Sequence, residues 1–415
     1  MSEHTGTTPT QAPPQAPPAK ATGKAWLMLI MATLGFAVNF WAWALLSPLG
    51  PLWRDDGTLG NITEGDVALL VAVPVIVGSL GRIVVGALTD KHGGRIMFPV
   101  VSLATIVPVL VIGFWAQSSL IAILITGFFL GIGGTAFAIG VPFVNAWFPP
   151  SQRGLAIGIF GAGMGGTAIS ALTTVPLYEQ SHSLPFVLTA IFLAVYAVAA
   201  WLIMRDAPGR TAPTGSLVSR VVANSKLSIT WLLAFLYAVA FGGYVAFSVY
   251  LPSYLKVAYE LDPSDASNRM AGFVVVAVIC RPLGGWLADK LGAIEVLVGC
   301  FGIVAVGAAI AAFTPILEHV GTGAFLGMAA ALGAGSGATF ALIAKVTEPA
   351  RVGGVTGIVG AAGGLGGFLP PLLMGYIYGR TDSYGWGLML LAITAVVALV
   401  LTTTVVRKKQ AAPAT

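Results

Sequence analysis

Long apolar runs, each closed by a short polar or basic stretch, recur twelve times along this chain. They fall near 26–50, 67–88, 96–115, 120–147, 154–176 and 185–204, then near 229–255, 269–288, 294–313, 322–347, 352–377 and 385–406. A helix crosses the hydrocarbon core of a bilayer with about 20 apolar residues, and every run supplies them. A membrane barrel would show alternating segments of about ten residues instead. The pattern predicts an all-α integral membrane protein of twelve transmembrane helices. The stretch 205–228, with Arg205, Arg210, Arg220, Lys226 and two prolines, is the longest polar interruption and divides the runs six and six. The expected organisation is a disordered tail at 1–24, rich in Pro, Thr, Ala and Gln, then a six-helix bundle at 25–204. A linker at 205–228, a second six-helix bundle at 229–406 and a short tail at 407–415 complete it. The first run starts too far in, and is too long, for a cleaved signal peptide.

Composition agrees. Only 9% of the 415 residues are charged and 57% are hydrophobic, whereas soluble domains carry roughly 25% charged residues. A soluble fold and a disordered chain are both excluded. The 53 glycines follow no Gly-X-Y period and suit close helix packing in lipid. Cys280 and Cys300 lie in apolar runs without CxxC spacing, and His4, His92, His182 and His319 are scattered. These residues offer no metal site and no cofactor site, and no HExxH, acid pair or Ser/His arrangement in the spans suggests an enzyme.

The net charge of +5 would point to nucleic acid in a soluble protein, but its distribution points elsewhere. With the amino terminus inside, 15 of the 21 Lys and Arg residues fall in cytoplasmic segments and four in external loops. The positive-inside rule then places both termini in the cytoplasm, for a multi-pass protein of the cell inner (cytoplasmic) membrane. Membrane lipid is its expected surrounding, nucleic acid is not a partner, and a monomer is expected.

Arg82 and Arg281 are the two basic residues left over, both inside apolar runs. The segments Gly81–Lys91 and Cys280–Lys290 share Arg, Gly, Leu, Asp and Lys at one offset of 199 residues. Gly134-Thr135-Ala136-Phe137 recurs as Gly337-Ala338-Thr339-Phe340, and Gly163-Met164-Gly165-Gly166 as Gly364-Leu365-Gly366-Gly367. The chain is an internal duplication, as in six-plus-six transporters. Each arginine precedes its aspartate by eight residues, which is about 12 Å of helix. An arginine at the centre of a span costs about 2.5–3.5 kcal/mol even on lenient scales. The carboxylates fall in loops, tails or helix ends, so the two guanidinium groups lack a counter-ion at their own depth. A buried charge needs a partner, and an anionic substrate would provide one. Guanidinium is planar, always protonated and suited to paired hydrogen bonds with an oxyanion.

The segments Gly86–Arg95 and Gly285–Gly292 resemble the loop between helices 2 and 3 of the major facilitator superfamily, and the likeness extends over essentially the whole chain. It implies two bundles rocking about a midplane site. The arginine pair, with the glycine runs Gly158–Gly166 and Gly357–Gly367 and the segment Leu236–Gly242, is similar to the nitrate/nitrite porter family. That resemblance implies nitrate held between Arg82 and Arg281, with Tyr237 donating a hydrogen bond and Phe137 and Phe241 closing the pocket. It places Gly165, Gly166, Thr167, Gly364 and Gly366 in the same substrate-binding set. The family carries an asparagine in the helix 5 glycine run; here Gly166 is followed by Thr167, which offers one hydroxyl instead. Asp90, Lys91, Arg95, Asp289 and Lys290 are expected to form a cytoplasmic latch between helices. Asn39, Asn145 and Thr339 are expected to join helices. The function expected is nitrate import in exchange for nitrite. Nitrate/proton symport and exchange of small organic anions such as dicarboxylates are the alternatives, and a non-transporting membrane sensor is the remote one.

Overall fold

The computed structural model describes residues 21–208, 217–347, 351–381 and 383–408, all helical or connecting, with no strand among them. Among the described residues, twelve helices are long and apolar enough to cross a membrane. They are α1 (Gly23–Asp55), α2 (Gly65–His92), α3 (Gly94–Phe114), α4 (Leu120–Trp147), α5 (Pro150–Gln180) and α6 (Leu184–Ile203) in the first half. The second half holds α7 (Ser228–Ser248), α8 (Asp265–Lys290), α9 (Ala293–Ala312), α10 (Leu317–Val346), α11 (Gly354–Thr381) and α12 (Gly385–Val406). They form two six-helix bundles. Val107, Ile121, Val195 and Trp386 are each more than 60% exposed, an apolar surface that lipid, not water, would cover.

The helices start and stop for local reasons. Thr63 and Asp66 form a reciprocal capping box before α2, satisfying two amide donors that the helix leaves open. The corners after α2 and α8 turn through Gly93 at φ 84° and Gly292 at φ 105°, a backbone region where L side chains are disfavoured. These two glycines stand 199 residues apart, so the duplication extends to the backbone. Within the first bundle the Asn39 amide donates to Ser102 Oγ at 2.8 Å, joining α1 to α3 as expected. Thr339 instead bonds the Gly335 carbonyl of its own helix, and Asn145 Oδ1 has no partner.

The helices outrun the apolar pattern at several ends. The opening helix begins at Gly23 behind a Thr22 cap, inside the stretch read as a tail. The α7 helix continues to Tyr259, and the linker contains a short helix, Leu217–Ser225. The rest of that reading, at 1–20, 209–216 and 409–415, lies outside the described residues.

Three spans depart from α geometry near their middles. α4 tightens to a 3₁₀ turn over Gly131–Thr135, α5 does so over Ala162–Gly165, and α7 loosens to a π turn over Ala238–Gly242. Such breaks re-aim backbone carbonyls and frequently accompany functional sites. All three converge on the same place.

Candidate anion site

Arg82 and Arg281 are fully buried, at 1% and 0% exposure. Arg82, on α2, donates from Nε to the Gly134 carbonyl at 3.2 Å and from Nη1 to the Gly360 carbonyl at 2.6 Å. Gly134 belongs to the 3₁₀ turn of α4, whose irregular backbone presents that carbonyl. Arg281, on α8, donates from Nη2 to the Tyr237 hydroxyl at 3.1 Å and from Nη1 to Met164 Sδ at 3.0 Å. Its Nε has no hydrogen-bond partner. Ion pairs such as Arg54–Asp55 and Arg407–Glu295 lie at helix ends; among the described residues neither Arg82 nor Arg281 has a carboxylate partner.

Aromatic faces take the place of counter-ions. Both guanidinium carbons stand over the same two rings: Arg82 is 5.3 Å from the Phe137 centroid and 5.6 Å from that of Phe241. For Arg281 the distances are 5.4 and 5.2 Å. Phe137 and Phe241 are nearly parallel, 6.1 Å apart at 15°, and Tyr237 stacks on Phe241 at 5.1 Å and 2°. Tyr237 and Phe241, four residues apart where α7 passes into its π turn, lie on one face. Desolvated cation–π contacts are worth about 2 kcal/mol or more each, a partial substitute for lost hydration. Two cations thus share a buried, aromatic-walled site, in which Arg281 Nε has no acceptor.

Arg82, Arg281, Tyr237, Phe137 and Phe241 are therefore brought together. Gly165, Gly166, Gly364 and Gly366 are placed at helix crossings instead. A side chain on Gly166 would run into the backbone of α1 at Ala37 and Trp41, one on Gly364 into Ser79, and one on Gly366 into Ala238. Gly165 faces Val278 at ordinary contact distance, 3.6 Å. The Thr167 hydroxyl lies 3.2 Å from the Tyr244 hydroxyl and donates to the Met164 carbonyl at 3.0 Å.

Several neighbours escaped the sequence reading. Gly134 and Gly360 contribute carbonyls, which carry no side-chain signal. Gly161 lies directly against Arg281 Nε, and Gly363 against the Tyr237 ring. Phe340 meets Phe137 and Tyr237 edge-on at 5.2 and 4.7 Å. It is the repeat partner of Phe137, so the duplication pointed to it.

At the end bearing Lys91, Arg153, Lys290 and Lys345, the two bundles meet directly. Asp289 Oδ2 accepts from the Leu155 amide at 3.0 Å, placing a carboxylate at the start of α5, where the helix dipole favours it. Lys290 folds over Trp286 of its own helix at 4.1 Å. Arg95 extends over Trp201, and its amide donates to Asp206. Asp90 is engaged as well, and Lys91 is exposed. Of this group, Asp289 makes the described bond between bundles.

A bundle pair related by an internal repeat and meeting at a buried cationic centre has the architecture of a membrane transporter. The family model described as Major Facilitator Superfamily matches residues 32–262 and 233–415. The chain is 44% identical over 374 residues to the "Probable nitrate/nitrite transporter NarK2" of Mycobacterium tuberculosis, covering 89% of this chain and 94% of that protein. It is 34% identical over 380 residues to the "Nitrite extrusion protein" of Bacillus subtilis, covering 90% and 93%. With the "Probable nitrate transporter NarT" of Staphylococcus haemolyticus it shares 32% over 382 residues, covering 91% and 96%. Among solved structures it resembles the proton:xylose symporter XylE, with TM-score 0.74, 14% identity and coverage of 92% and 96%. The human organic anion transporter MFSD10 gives TM-score 0.75, 14% identity and coverage of 92% and 100%; both likenesses concern the fold alone. The chain belongs to the major facilitator superfamily and, within it, to the nitrate/nitrite porter family.

Proposed function

We propose that this protein imports nitrate in exchange for nitrite, by alternating access of the two bundles about the Arg82–Arg281 pair. It does so as a monomer in the inner membrane, with both termini and the Asp289 contact on the cytoplasmic side. The observation that carries this reading is the arginine pair: two buried cations from opposite bundles, over the same two rings, without a carboxylate partner among the described residues. The relatives' names supply the substrate class. Nitrate is planar, and its oxygens accept from guanidinium N–H donors in one plane. The Tyr237 hydroxyl accepts from Arg281 and keeps its own proton to donate to the anion.

Exchange follows from electrostatics. Without an anion, two like charges share a low-dielectric site, where their repulsion is poorly screened. A bound anion offsets that repulsion, so the loaded carrier crosses between its two states more readily than the empty one. The test is labelled-nitrate flux into proteoliposomes. Uptake is expected to depend on nitrite or nitrate inside. Uptake into anion-free vesicles, driven by a pH gradient, would overturn exchange and support proton symport.

A further inference from the structure

The two arginines are not equivalent. Arg82 is held by two backbone carbonyls, strong acceptors fixed to their helices. Arg281 has one hydroxyl, one thioether and an Nε with no partner. A thioether is a weak acceptor, and a buried charged donor gains most from a strong one. The less compensated cation is therefore Arg281.

We propose that Met164 determines affinity and release at this site: its sulfur is the acceptor that an incoming oxyanion displaces from Arg281 and that returns when the anion leaves. This rests on the anion-exchange reading above. Three observations carry it. Met164 Sδ is 3.0 Å from Arg281 Nη1, from α5 of one bundle to α8 of the other. The Met164 backbone is fixed, since the Thr167 hydroxyl donates to its carbonyl and is itself tied to Tyr244. Its side chain is unbranched, with three rotatable bonds, so it can change rotamer while the backbone stays in place. The repeat supplies the third: Leu365 holds the equivalent position in the other half and has no acceptor atom. Arg82 takes the Gly360 carbonyl instead.

A displaceable acceptor lowers the cost of the empty site and weakens anion binding by the strength of the bond it must give up. Substitutions graded in acceptor strength at nearly constant length test this. Nitrate binding is measured by titration calorimetry on the full-length protein in detergent, and exchange in proteoliposomes. Met164→Leu, with no acceptor, is expected to bind nitrate about three- to tenfold more tightly and to exchange more slowly. Met164→Gln, with a strong acceptor, is expected to bind more weakly than the native protein. In an Arg281→Lys background the Leu–Met–Gln ordering is expected to collapse. Unchanged or weaker nitrate binding by Met164→Leu overturns the proposal, because a residue that only packs or props Arg281 gives those results. If the native protein binds no nitrate, the anion-exchange reading falls and this inference with it. If the native protein binds and the series is flat, this inference alone falls.

Discussion

Gly161→Ala tests whether the glycine run of α5 serves the cationic site or only the helix seam. A methyl group on Gly161 would overlap Arg281 Nε and lie 2.7 Å from its Cδ and Cζ. Ordinary carbon contacts begin near 3.5 Å, so Cδ and Cζ must retreat by about 0.8 Å and the nearer Nε by more. The Arg281–Tyr237 bond, now 3.1 Å, would then exceed hydrogen-bond range. The same displacement would cost an anion held by Arg281 at least one charged hydrogen bond, worth about 1.5–3 kcal/mol, so nitrate affinity should fall roughly ten- to 150-fold. The alternative response, retreat of α5 from α8, would draw the Leu155 amide from Asp289 and appear as lost thermal stability. Gly165→Ala, in the same run, meets only Val278 at 3.6 Å and should alter affinity by less than about threefold. The assay is nitrate titration of both variants beside their melting curves. Native affinity in Gly161→Ala at unchanged stability, or equal damage in Gly165→Ala, would refute the geometric argument.

Two further substitutions bear on separate parts of the site. Tyr237→Phe removes the hydroxyl between Arg281 and the anion, and nitrate binding should weaken about two- to tenfold; tightening would mean that the hydroxyl competes with the anion instead of donating to it. Asp289→Asn removes the charge at the start of α5, worth about 0.3–1 kcal/mol. Double electron–electron resonance between labels on the exposed Ser151 and Leu291 should show the separated population rising about two- to fivefold, whereas an unaltered distribution would show that Asp289 does not hold the bundles together.

The sequence made the spans legible because each is a long, predominantly apolar run, and it made the arginines legible because charge inside such a run is conspicuous. Tyr237, Phe137 and Phe241 were legible through resemblance, since their side chains carry the chemistry. What the pattern could not separate was one glycine from another. Gly161, which borders Arg281, and Gly166, which borders α1, sit in the same run and differ only in the direction each faces. The carbonyls of Gly134 and Gly360 were invisible for another reason. They become acceptors through helix irregularity and close approach, which depend on tertiary packing and leave no mark on residue identity. The helix ends outran the apolar pattern because a helix continues past the hydrocarbon core wherever caps and neighbours satisfy its backbone.

The cross-bundle bonds give the proposed exchange a structural cause. Arg82 ties α2 to the Gly360 carbonyl of α11, and Arg281 ties α8 to the sulfur of Met164 on α5. Each arginine thus bonds the bundle to which it does not belong, in both directions across the seam. Separation of the bundles on either side must stretch these bonds. In an empty site the donors would be left buried without acceptors; losing the Arg82–Gly360 bond alone costs about 1.5–3 kcal/mol, or roughly ten- to 150-fold in crossing rate. An oxyanion between the guanidinium groups offers replacement acceptors, so the loaded carrier avoids that cost. The thioether gives way first, being the weaker acceptor, and the carbonyl holds the bundles until the anion is fully engaged. On this reading the asymmetry between the two arginines sets the order of events: capture at Arg281, then release of the seam at Arg82.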